Sequence, residues 1–129
     1  HIETSLMPGE LITAYVVPAG PWTRRSLYTK VRDRESYAFA LASAAVALDM
    51  DGASVRTARI GLGGVASVPW RAREAEASLT GRRLDEASAQ RAAEIAFAGA
   101  RTHEYNAYKI PLGKATLVRG LLGAQAMEV

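Results

Sequence analysis

The sequence predicts an α+β fold: an antiparallel β-sheet of three to four strands with about three helices packed on one face. Three observations carry this expectation. The first half holds short runs in which apolar and polar residues alternate, separated by Gly, Pro and Asp. Two of those runs flank Asp51-Gly52, a dipeptide that tolerates the positive φ of a tight hairpin turn. Beyond Pro69-Trp70 the chain becomes rich in Ala, Glu and Arg, with apolar residues at helical spacing. Strands first and helices after fit helices laid over one side of an antiparallel sheet.

Residues 11–17 (LITAYVV) are β-branched and lie between Pro8-Gly9 and Pro18, which predicts a short edge strand. The stretch PAGPW, 18–22, reads as a turn or linker. Residues 26–32 alternate Leu27, Thr29 and Val31 with Tyr28, Lys30 and Arg32, which predicts a second strand. Residues 37–50 (YAFALASAAVALDM) have two readings. Their alanines favour a helix with Phe39, Ser43, Val46 and Met50 on one stripe. Asp51-Gly52 and the alternating run 54–62 favour a hairpin instead. A helix here would be apolar nearly all round, and a domain this small can hardly enclose one. The expectation is therefore that 38–50 and 54–66 pair as antiparallel strands.

After Pro69-Trp70, residues 71–79 read as a short helix ended by Gly81. Residues 84–99 read as a longer one, with Asp85 as N-cap and Leu84, Ala92, Ile95, Ala96 and Gly99 on its inner face. Phe97 falls on the polar side of that helix and is expected to mark a contact surface. Asn106 is expected to cap a third helix that turns Ile110, Leu117, Val118, Leu121 and Leu122 inward. Pro111 lies near its first turn, where a missing N–H costs least. Trp70 reads most simply as a core anchor joining sheet to helices, with an interface aromatic as the alternative.

The 129 residues fit one domain, and 49% hydrophobic with 22% charged residues fits a packed core. Sixteen Lys+Arg against 13 Asp+Glu give a net charge of +3, with the arginines interleaved among carboxylates. That excludes the concentrated basic face a nucleic-acid groove requires. No apolar run approaches the roughly 20 residues of a membrane span, so no membrane association is expected. With no cysteine, the chain has no disulfide, thiolate metal site or Cys nucleophile of its own. The chain opens on His1 with no initiator Met, and is expected to be a piece of something larger.

The run RIGLGGVASVPW, 59–70, is where a phosphate loop would be sought. Gly61, Gly63 and Gly64 are followed by Val65-Ala66-Ser67, with neither the Lys-Ser/Thr pair of one such loop nor the G-x-G-x-x-G of another. A strand end where another backbone comes close explains the glycines as well. No catalytic constellation assembles: His103 sits in a polar loop, and no H-x-x-x-H or G-x-S-x-G occurs. Glu74, Glu76, Asp85, Glu86 and Glu94 all fit exposed helix faces.

The segments SLYTKVRDRESYAFALASAAVALDMDG, ARIGLGGVASVPWRAREAEASLTGRRLDEA and NAYKIPLGKATLVRGLL, in that order, resemble the C-terminal domain of the FAD-binding subunit of molybdenum hydroxylases. These are the xanthine dehydrogenase, aldehyde oxidoreductase and carbon monoxide dehydrogenase enzymes, and the similarity is greatest to bacterial subunits of the xanthine or aldehyde dehydrogenase type. The resemblance implies that residues 1–22 are the tail of a preceding FAD-binding domain plus linker, and that 23–129 form the C-terminal domain.

It further implies a flavoprotein electron-transfer subunit. A molybdopterin-binding large subunit oxidises the substrate, a small subunit with [2Fe–2S] clusters relays electrons, and FAD passes them to NAD, a quinone or dioxygen. The loops holding the FAD diphosphate belong to upstream domains, so this fragment is expected to be non-catalytic alone and to retain no FAD. The family's aromatic-x-Lys strand places one lysine near the flavin, and Tyr28-Thr29-Lys30 is the match, which makes Lys30 the expected cofactor-binding residue. The expected compartment is the cytoplasm, with export in an assembled complex as the alternative. The rival reading is a self-standing α+β interaction domain that binds a partner through Trp70 and Phe97.

Overall fold

The computed structural model describes residues 4–129; His1 lies outside them. A four-stranded antiparallel sheet has the order β1 (Arg25–Val31), β2 (Ala42–Asp51), β3 (Ser54–Gly63) and β4 (Trp70–Arg71). Three helices follow: α1 (Arg73–Leu79), α2 (Glu86–Ala96) and α3 (Lys109–Gln125). Helix α3 lies over β1 and β2, α1 lies against β3, and α2 bridges α1 and α3. The helices thus cover one face, as the sequence predicts.

Turn chemistry overrides helix propensity in β2. Asp51 pairs with Ser54, so the two central turn residues are Gly52 and Ala53, one position later than an Asp-Gly-centred turn. Gly52 has φ 57°, while Ala53 is not among the positive-φ residues, the pattern of a turn that needs glycine only at its first central position. The alanines of β2 then serve packing. Gly120 of α3 sits so close that an added Cβ would lie 3.3 Å from Val46 Cγ2 and 3.7 Å from Ala44 Cβ. Small residues on both partners let helix and sheet approach, and Leu48, Ile60, Leu117 and Leu121 fill the layer between them. Fully burying each such side chain contributes ~1.5–3 kcal/mol.

The outer edge of β3 is closed twice. Its beginning pairs with the α1–α2 connection, Val55 N–H donating to Arg82 O and Gly81 N–H to Val55 O. Its end pairs with β4. Helix α2 is capped as expected: Ser88 N–H donates to Asp85 Oδ1 and Asp85 N–H to Ser88 Oγ. These bonds favour the ionised carboxylate, so Asp85 titrates below its ordinary value.

Several sequence expectations are corrected. Residues 11–17 form no strand: they are exposed and join no ladder, because an isolated strand has no partner here to satisfy its backbone. Phe97 is buried, not a contact surface. Helix α2 ends at Ala96, so Phe97 leaves the helical wheel at φ −109° and turns inward, its ring packing on Gly113. Trp70 is 49% exposed and is no core anchor, since the two-residue β4 leaves its indole at the surface. Asn106 accepts from His103 N–H one turn ahead of α3, and the N-cap position falls to Tyr108. Glu76 does not sit on an exposed helix face: its side chain is 13% exposed, because it accepts from Ile60 N–H at the edge of β3 and pairs with Arg71.

Candidate functional site

The sheet face away from the helices carries Ser26, Tyr28 and Lys30 from β1, since residues two apart share a side. Register sets Tyr28 beside Ala45 and Gly61, and Lys30 beside Ser43 and Gly63. The small residues make a shallow hollow of about 520 Å3, with Tyr28 to one side and Arg59 and Arg71 to the other. Arg59 stacks on Trp22 at 4.5 Å. Arg71 is held by Glu76, whose hydrogen bond raises the guanidinium above its ordinary value. The hollow is open and nearly flat, and Lys30 lies beyond its lining, so it does not enclose a ligand.

Lys30 stands at the end of the sheet opposite the Gly52 turn. It is exposed and takes part in no ion pair among the described residues. Four other features converge on that end. Residues 32–41, the loop from β1 to β2, close at their base through Leu41 N–H donating to Val31 O at 2.8 Å. Within the loop, Tyr37 takes φ 53° and is 95% exposed, and Phe39 is 96% exposed. Arg34 donates to Tyr37 O, which holds the bend. On the other side, β3 exits through Gly63 and Gly64. An added Cβ at Gly63 would lie 2.6 Å from Ser43 Oγ, and one at Gly64, which has φ 73°, would lie 2.8 Å from Ala40 O. Lys109, at the start of α3, donates through Nζ to Leu41 O and to Gly64 O, each at 2.9 Å.

These contacts account for Gly64, where the close approach of the 40–41 backbone excludes a side chain, while at Gly63 the close neighbour is the Ser43 hydroxyl. The peptide after Gly64 turns its carbonyl to Lys109, so the segment is not a cradle of N–H groups awaiting an anion. Among the described residues no group of three His, Cys, Asp or Glu could hold a metal ion. No helix among them is long and apolar enough to cross a membrane.

Alternation placed Lys30 on its strand face, and the family resemblance singled it out as the expected cofactor-binding residue. Sequence reading missed Lys109, whose partners are backbone carbonyls far away in sequence, and it placed Tyr37 and Phe39 at or inside a strand. The signal available for those two was weak: aromatics at alternate positions between a charged run (RDRES) and an alanine run.

The sequence pattern of the CO dehydrogenase flavoprotein C-terminal domain matches residues 26–124. The chain belongs to that family. It is 44% identical over 126 residues to the aldehyde oxidoreductase FAD-binding subunit PaoB of Escherichia coli (strain K12), covering 98% of this chain and 36% of that protein. It is 36% identical over 125 residues to the carbon monoxide dehydrogenase medium chain of Afipia carboxidovorans, covering 97% of this chain and 42% of that one. Reconstituted CO dehydrogenase from Oligotropha carboxidovorans superposes with a TM-score of 0.84 at 32% identity, over 97% of this chain and 45% of that chain. This chain therefore spans less than half the length of each of these relatives.

Proposed function

We propose that this chain works as the C-terminal domain of a flavoprotein subunit in a multi-subunit oxidoreductase of the molybdenum hydroxylase type. FAD bound mainly by upstream domains passes electrons from [2Fe–2S] clusters of a small subunit to an acceptor. A molybdopterin-binding large subunit oxidises the substrate. Support comes from the family match over residues 26–124 and from the names of the relatives, an FAD-binding subunit of an aldehyde oxidoreductase among them. In the same reading residues 1–22 end the preceding domain and 23–129 form this one. The exposed apolar side chains Leu11, Tyr15, Val16 and Val17 support that division, since they pack on nothing in this fold. We further propose the cytoplasm as the site of action.

The observation that carries the role of this domain is the exposed Lys30 ammonium at the same sheet end as Tyr37 and Phe39. Flavin, when bound, supplies two-electron redox chemistry, and its reduced ring carries negative charge. Lys30 then acts as a fixed cation that favours the reduced ring. Tyr37 and Phe39 offer apolar surface that excludes water from its edge.

The test is Lys30→Met in the complete enzyme. An attraction on the order of 1–2 kcal/mol, set against ~4 kcal/mol for contact at an effective dielectric near 20, is reasonable for partly shielded charges. For a two-electron couple that corresponds to a midpoint lowered by about 20–45 mV. Substrate oxidation read with an acceptor that bypasses the flavin should not change. Arg32 lies just past the end of β1, and Arg32→Met should shift the midpoint less. An unmoved midpoint in Lys30→Met would remove Lys30 from the flavin site.

A further inference from the structure

We propose that Lys109 is a positioning residue: it fixes the β1–β2 loop, and through it Tyr37 and Phe39, against the flavin edge. This rests on the reading above that this sheet end faces the flavin. The loop spans ten residues, 32–41, and contains no helix or strand of its own except the start of the pairing into β2. A loop of that length is mobile unless tied down. Its base is tied by Leu41 N–H to Val31 O, which fixes the chain only against β1. The second tie is Lys109, which takes Leu41 O on one side and Gly64 O on the other. One ammonium thus locks the loop's exit to the exit of β3, and anchors both to the first turn of α3.

Three features make this a built junction and not a chance surface contact. Lys109 is half-buried, and both acceptors are backbone carbonyls, whose positions no side-chain rotation can change. Gly64 holds φ 73° at the contact, so glycine is required for its carbonyl to face the ammonium. Beyond the tie, Tyr37 holds a left-handed φ that a non-glycine residue adopts only when its surroundings impose it. Bonds from a charged donor are the stronger kind, and here two share one ammonium. Lys109 reaches its partners in the loop base and does not itself extend to Tyr37 or Phe39. Its influence on the flavin is therefore indirect, through loop geometry.

The experiment uses the full-length subunit in its assembled enzyme, with Lys109→Met, Lys109→Arg, Gly64→Ala and, as control, Lys114→Met. Lys114 pairs with Glu94 on the α2–α3 surface and lies away from the loop. Two quantities are read: tryptic cleavage after Arg32 and Arg34 with FAD removed, and the flavin midpoint potential. Lys109→Met should speed cleavage roughly tenfold, the order expected when a charged hydrogen bond is lost from a locally opening segment. It should also shift the midpoint, while Lys109→Arg keeps both close to the parent and Lys114→Met changes neither.

Gly64→Ala disturbs the same junction with Lys109 intact and should reproduce both effects, which keeps the test decisive should Lys109→Met fail to fold. Faster cleavage with an unmoved midpoint, in an enzyme where Lys30→Met does move it, overturns the positioning role and leaves the reading of the site standing. Unchanged cleavage in both Lys109→Met and Gly64→Ala overturns the tie itself. If no variant, Lys30→Met included, moves the midpoint, the reading of this sheet end as the flavin face falls and the positioning role falls with it.

Discussion

Replacing Gly113 with alanine would place a methyl carbon 2.4 Å from Cζ and 2.7 Å from Cε1 of Phe97. Two effects oppose each other. Alanine in a helix interior is favoured over glycine by ~0.8–1 kcal/mol. Against that stands overpacking, which typically costs ~1–3 kcal/mol and here falls toward the upper end, because two ring atoms would lie inside 3 Å and the ring is only 7% exposed. The net effect is a loss of ~1–2 kcal/mol. With an unfolding entropy near 2.1 cal/mol/K per residue, a chain of this size loses ~4 °C of Tm per kcal/mol, so the midpoint should fall by ~4–7 °C. The decisive assay is a double-mutant cycle by thermal denaturation. Phe97→Val removes the ring atoms in question at less than the ~3–5 kcal/mol of a Phe→Ala change. In that background Gly113→Ala should reverse sign and stabilise by ~1 kcal/mol, leaving only the helix-propensity gain. Stabilisation by Gly113→Ala in the parent, or an unchanged sign in the Phe97→Val background, would refute the placement of Phe97 against α3.

Glu76→Ala should cost ~1–3 kcal/mol in urea denaturation, because it strands the N–H of the fully buried Ile60, whereas Glu76→Gln keeps an acceptor there and should cost less than half of that. Asp85→Ala should lower Tm at neutral pH. The carboxyl is held below its ordinary 3.8 in the folded state, so its contribution is complete above that value and is lost as pH falls through the lower folded one; the parent and the variant should converge there. The pair Leu11→Ser and Tyr15→Ser should leave the stability of this 129-residue chain within ~0.5 kcal/mol, since both side chains are exposed, and should destabilise the full-length subunit if residues 1–22 end the preceding domain.

The fold was legible where local chemistry and global packing agree. Gly52 decided the hairpin against the helix preference of the alanines in β2; the small domain could not enclose an all-apolar helix, and as strand residues the small alanines let α3 approach at Gly120. Asp85 was legible because a capping box is a property of four consecutive residues. Phe97 was misplaced because the expected helix runs three residues past the observed end: continued to Gly99, the wheel puts it among polar neighbours, whereas the end at Ala96 sends it inward. Such boundaries are set by tertiary contact with Gly113, which no window of sequence contains. Within the candidate site the strand face of Lys30 could be read from the period of two and its expected role only from the family resemblance, while Glu76 and Lys109 could not be read, since both act on main-chain groups of distant strands and loops. Residues 11–17 have strand composition and no strand, because propensity does not supply a pairing partner.

The three glycines of the 59–70 run are not equivalent in the structure, and that difference separates a packing role from an anion-binding one. An added Cβ at Gly61 meets nothing within 4 Å, and its face is the open hollow beside Tyr28. At Gly63 it would meet Ser43 Oγ, the end of a side chain that can rotate. At Gly64 it would meet the Ala40 carbonyl, which cannot rotate, and φ 73° adds the ~1–2 kcal/mol penalty of a left-handed residue. Alanine substitutions should therefore rank in stability cost as Gly61 least, Gly63 intermediate and Gly64 most, with Gly61→Ala close to neutral, since its strand position carries no steric conflict. A phosphate loop would show another order: substitutions would act through ligand affinity, and the glycine whose N–H approaches the anion most closely would matter most. Measured on the apo chain by chemical denaturation, the steric ranking should hold with no ligand present. A Gly61→Ala variant as unstable as Gly64→Ala, or one that loses anion affinity at unchanged stability, would return this segment to phosphate binding. The Gly64 carbonyl that Lys109 holds belongs to the same left-handed residue that leaves no room for a side chain, so the need for glycine and the anchoring of residues 32–41 arise from one backbone conformation.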